Sequence, residues 1–112
     1  MTAVNLLEIA TTQLAQAQQA DSGRHSQTVY GGRENELRQT LICLIEGHEL
    51  NEHDSPGEAT VQVLVGAIDI TTNDAVTRLA PGDFYVIAPT RHSVMAASDA
   101  AFLLTVATRG RG

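Results

Sequence analysis

Residues 47–66 read G-H-E-L-N-E-H-D-S-P-G-E-A-T-V-Q-V-L-V-G. Ser55-Pro56-Gly57 is a tight turn, because proline presets φ and glycine accepts positive φ. A strand precedes it, and a second, apolar strand follows and closes at Gly66. The pair makes half of a small β-barrel. Successive side chains of a strand point to opposite faces. With His53 facing inward, Glu49, Asn51 and Ser55 share its side unless a bulge intervenes, and His48, Glu52 and Asp54 face out.

Outward from this segment the same texture continues. Short β-rich runs occupy 26–30, 37–45, 67–70, 75–79, 84–88, 93–97 and 102–107, with Gly31-Gly32, Thr71-Thr72-Asn73-Asp74 and Pro81-Gly82-Asp83 among the breaks. Evenly spaced short strands predict a sandwich or barrel. Strands do not alternate with helices, which argues against a parallel α/β sheet. One helix precedes them, over 4–20. Leu7, Ala10, Leu14 and Ala17 recur at three- and four-residue steps on one face, Val4 and Leu6 widen it, and Asp21-Ser22-Gly23 supplies the stop. Residues 1–22 are therefore expected to pack on the barrel or on a partner subunit, 23–108 to form the barrel, and 109–112 to be a solvated tail.

At 112 residues the chain has room for one domain. The core must come from Val, Ile, Leu and Ala, since aromatics are only 4%. A net charge of −6 argues against sequence-independent nucleic-acid binding, which needs a basic surface; Arg109 and Arg111 are the only basic cluster. Cys43 lies inside the apolar run 41–45 and reads as packing; a single cysteine allows no internal disulfide, which fits a reducing compartment. The N-terminus lacks a signal peptide's basic start and apolar block, and no apolar run reaches membrane-spanning length. A cytoplasmic protein with no membrane partner is expected.

The segment resembles the first motif of the cupin superfamily: Gly, five residues, His, one residue, His, three or four residues, Glu, six residues, Gly. Here Gly47 is followed by five residues and His53; Ser55 stands in the second His position, Ala59 in the Glu position, and Gly66 closes the motif. The second motif is similar in Gly82, Pro89 and His92, one residue shorter than the family pattern, with Ala96 in the Asn position. The resemblance covers roughly 40–107. It implies an all-β, double-stranded β-helix (a jelly-roll barrel) with one N-terminal helix. Small bacterial cupins commonly pair, so it also implies a homodimer.

Metal-binding cupins hold their ion through three His and one Glu. Only His53 and His92 match those positions here. Catalytic zinc sites normally have three protein ligands, so two imidazoles would hold a divalent transition metal weakly. Glu58 would complete the set only if a bulge reversed its direction. Without a metal, His53, Ser55 and His92 remain as polar groups in an apolar hollow, able to bind or protonate a small ligand near pH 7. Arg91 lies at the expected mouth and suits an anion. Tyr30, Phe84 and Tyr85 could line the pocket or fill the core. The implied function is a non-catalytic small-molecule-binding or regulatory module with an incomplete metal site. The alternatives are a metal-dependent oxygenase or isomerase using His53 and His92, and an inert structural barrel.

Overall fold

The computed structural model describes residues 3–53, 57–73, 75–87 and 90–107, with 51–53 described by their backbone alone. One helix, α1 (Leu6–Gln19), is followed by nine strands: β1 (Arg24–Tyr30), β2 (Leu37–Leu44), β3 (Glu49–His53), β4 (Glu58–Val65), β5 (Ile68–Thr72), β6 (Ala75–Leu79), β7 (Phe84–Ile87), β8 (His92–Ala96) and β9 (Ala100–Ala107). The strands fall where the turn residues predict, within about two positions at each end. They form two antiparallel sheets, a five-stranded one in the order β1-β2-β9-β4-β7 and a four-stranded one in the order β3-β8-β5-β6. Among the described residues no helix is long and apolar enough to cross a membrane.

The main core lies between the sheets. Ile42, Leu44, Val61, Val63 and Phe102 face it from the larger sheet, and Ile68, Ile70, Leu79, Val94 and Ala96 from the smaller. β9 runs between β2 and β4, so Phe102 sits at the centre of the larger sheet. A second apolar layer lies on the outer face of that sheet, where α1 covers Leu41, Cys43 and Ala101. This double covering explains why Leu41, Ile42, Cys43 and Leu44 are all buried although neighbours in a strand point to opposite faces.

Asn5 caps α1 by accepting a hydrogen bond from the Glu8 amide at 3.0 Å, and Glu8 sits favourably in the positive first turn. Its buried residues are Ala10, Gln13 and Ala17. Ala10, Leu14 and Ala17 pack as the periodicity predicts, but Leu7 is 55% exposed and Val4 is exposed as well, so the first turn stands clear of the sheet. The two alanines let the helix approach the sheet closely. Gln13 lies between them; its Nε2 donates to Gln27 Oε1 on β1 at 2.8 Å, whereas its Oε1 is buried without a hydrogen-bond partner.

Cys43 is buried beneath α1, and burial pushes its thiol up to about 11. The reactive thiolate is therefore scarce in the folded state. Labelling by an aromatic disulfide reagent at pH 8 should be slow and should accelerate with denaturant in step with global unfolding. Rapid labelling of the native protein would show that the helix opens on its own.

Candidate functional site

β8 starts directly after the Thr90-Arg91 loop, and its first residue is His92. Val94 and Ala96 belong to the inter-sheet core, and His92 shares their face by the period of the strand. It is only 3% exposed. Among the described residues it is the only buried polar side chain between the sheets, since the other, Gln13, belongs to α1. The His92 Nδ1 lies 3.1 Å from the Thr90 carbonyl oxygen. That oxygen can only accept, so in the neutral ring the bond places the proton on Nδ1 and makes Nε2 the basic nitrogen. The Thr90 carbonyl thus orients the imidazole.

Across the ladder, β3 pairs with β8 so that Glu49 opposes Met95, Leu50 opposes Val94 and position 53 opposes His92. Strict pairing would bring position 52 to His92. One extra residue intervenes between Leu50 and His53, which is a β-bulge. Its consequence is a correction to simple alternation: Glu49 is exposed and opposes exposed Met95, so it does not belong to the interior set. The bulge brings the backbone of His53 into register with His92; the His53 side chain and all of Ser55 lie outside the described residues.

On β4 the phase is unambiguous. Ala59 is 3% exposed, opposite Ile87 on one side and Val106 on the other. Glu58 is exposed and opposes Ala107, on the outer face. No bulge reverses it, so the carboxylate expected as a possible third donor is outside and a methyl group is inside. Arg91 is exposed, next to His92 in the chain. Tyr85 packs against the inter-sheet core, whereas Phe84 and Tyr30 project from the outer face of the larger sheet and line no interior pocket.

The described donors alone do not make a complete metal shell. Among the described residues no three His, Cys, Asp or Glu side chains come together. Ala59 offers no ligand atom, and His92 with position 53 supplies at most two imidazoles against the three protein ligands of an ordinary catalytic site. The arrangement offers instead an oriented imidazole in an aliphatic enclosure, suited to a hydrogen bond or proton exchange with a small molecule. His25 also carries a buried Nδ1 without a hydrogen-bond partner, but it lies opposite Cys43 on the β1–β2 ladder, away from the interior.

No family model matches the sequence, and no curated protein matches it. Solved structures do. A conserved protein of unknown function from Streptococcus pyogenes is similar at 30% identity, with 79% of this chain and 76% of that chain covered and a TM-score of 0.69. An RmlC-like cupin from Desulfovibrio desulfuricans is similar over 96% of this chain and 97% of its own, at 24% identity and a TM-score of 0.72. A cupin superfamily protein from Desulfitobacterium hafniense is similar at 19% identity, over 75% of this chain and 76% of its own, with a TM-score of 0.70.

Proposed function

The chain is by fold a small member of the cupin superfamily, and on that premise we propose that it is a small-molecule-binding or regulatory module, not a catalyst. The observation that carries this reading is Ala59: the inward position of β4 holds a methyl group, and the nearest carboxylate, Glu58, is one residue out of phase. Position 53 opposes His92, and directly opposed residues of an antiparallel ladder share a face. That supports a polar pair within otherwise apolar walls. Ser55 and Arg91 complete the proposed set, Arg91 favouring a ligand with an acidic group.

The competing reading is a metal-dependent enzyme of the oxygenase or isomerase type. It draws on the same register, with His53 and His92 holding an ion that water completes. Metal analysis separates the two. Purified protein should carry well under one equivalent of iron, manganese, nickel or zinc, and dialysis against a chelator should leave its melting temperature unchanged. Benzoate and hexanoate, as small apolar acids, should raise that temperature in a saturable manner, and His92→Ala should remove the effect. Near-stoichiometric metal that is lost together with stability in His92→Ala would instead establish the enzyme reading.

A further inference from the structure

β2 pairs with β9 without a bulge from Leu37 to Leu44. Ile42 and Leu44 face the core between the sheets, whereas Leu41 and Cys43 face α1. By alternation Thr40 and Arg38 continue the inner face. Their partners agree with this phase: Thr40 opposes Leu104 and Arg38 opposes Val106, and both of those pack against the inter-sheet core. Val106 in turn opposes Ala59, and Ala59 opposes Ile87. Arg38, Val106, Ala59 and Ile87 thus form one inner row across β2, β9, β4 and β7.

That row lies at the same end of the molecule as His92. Only residues 54–57 separate β3 from β4, and only 88–91 separate β7 from β8. Position 53 opposes His92 and Ile87 opposes Ala59, so both short connections tie the His92 end of the smaller sheet to the Ala59 end of the larger. We propose that Arg38 is the residue that selects a carboxylate at this mouth, so that the interior site takes small acids with an apolar body. The inference rests on the binding-module reading above and names the ligand class of that same site.

The pairing of the other cations sets Arg38 apart. The net charge is −6, yet among the described residues no carboxylate pairs with Arg38. Arg78 is held by both oxygens of Asp69, at 2.7 and 2.9 Å, and Arg33 and Arg91 are engaged as well. Arg24, the other described arginine without such a partner, opposes Leu44, about 20 Å along β2 from position 38. A guanidinium is a planar fork of N–H donors that accepts nothing, so its complement is a carboxylate. Thr40, half-buried and next along the same face, adds a hydroxyl beside it. Arg38 itself is exposed, so its charge stays solvated while its stem follows the inner face, and no unpaired ion is buried when the site is empty. The rest of the row is hydrocarbon. β9 alone lies between β2 and β4, which puts Arg38 about 9–10 Å from Ala59. An acid the size of benzoate, its carboxylate on Arg38 and its ring over Val106, suits that span.

Isothermal titration of the full chain with benzoate, benzyl alcohol and benzylamine tests this. The wild type should bind benzoate at least ~10-fold more tightly than benzyl alcohol, its uncharged analogue. Arg38→Gln should bind the two equally, with benzyl alcohol unchanged. Arg38→Glu should reverse the order and favour benzylamine, and Arg38→Lys should keep a preference for benzoate. An arginine with a structural role alone would shift all three compounds alike. The proposal is overturned by a wild type that does not prefer benzoate, by a preference that survives in Arg38→Gln, or by equal loss of benzoate and benzyl alcohol in that variant. In those cases loss of benzyl alcohol binding in His92→Ala shows that the interior-site reading still stands. If the wild type binds none of the three, both readings fall. Should Arg38→Gln fail to fold, the Arg38 Nε–H resonance of the wild type decides: it should move with benzoate and stay with benzyl alcohol, and the same response to both overturns the proposal.

Discussion

Gly66→Ala should destabilise the protein by roughly 3 kcal/mol, a large share of the ~5–15 kcal/mol that holds a domain of this size together. Two costs combine. Gly66 has φ of +71°, where a β-carbon costs about 1–2 kcal/mol. A β-carbon there would also overlap the backbone carbonyl oxygen of Asp99, just before β9. That oxygen belongs to the main chain and has no rotamer to escape into. The neighbourhood is tied down as well: the Ala67 amide donates to Ser98 Oγ at 3.0 Å, and the Ala97 amide donates to the Ala67 carbonyl at 2.9 Å. The expected result in thermal melts is a fall of about 10–20 °C. Gly47→Ala is the matched control. Its φ is +86°, but nothing stands within 4 Å of the position its β-carbon would take, so only the ~1 kcal/mol conformational cost remains. Equal losses for the two variants would show that the close approach at Asp99 is not what Gly66 serves.

The strands were legible because glycine and proline mark their ends and because most of them are covered on a predictable face. Where the reading failed, a distant partner decided the matter. Leu7 appeared to belong to the buried stripe of α1 yet is exposed, while Gln13 is buried, with its Nε2 donating to Gln27 on β1. Helical periodicity contains no information about Gln27. Glu49 appeared to share a side with His53, yet the extra residue in β3 exists only relative to β8. Alternation within one strand cannot reveal a bulge defined by two. Phe84 looked like a core or pocket residue, yet Tyr85 and Ile87 take the inward phase of β7 and leave Phe84 and Val86 outside. A fully apolar four-residue strand gives no clue to its own phase. Their spacing from Gly82 and Gly47 singled out His92 and Ala59, and both side chains are buried. Spacing alone left the direction of Glu58 open, and the register with Ala107 closes that question.

Ala59→Glu should turn the absent donor into a measurable one. The position is 3% exposed and faces aliphatic neighbours, among them Ile87 and Val106. Enlarging a packed site costs about 1–3 kcal/mol, and burying a carboxyl without a partner costs about 1–3 kcal/mol more. In the absence of metal the variant should therefore lose roughly 2–6 kcal/mol. Burial raises a carboxyl's folded pKa above its unfolded value near 4.3. The penalty should accordingly be smallest in acid and grow as pH rises above that value, since the unfolded state then releases the proton more readily. Zinc, nickel or manganese should return part of the loss if His53 and His92 converge on the same hollow, because an ion that binds only the folded state at 100 times its Kd contributes about 2.7 kcal/mol. Denaturant midpoints of the variant and the wild type, each with and without the ion, measure all four corners of this cycle. Rescue confined to the variant would mean that the interior lacks only the third ligand. If the wild type gains as much from the ion as the variant does, the methyl group at Ala59 is not what keeps a metal out. The enzyme reading then takes precedence over the binding module.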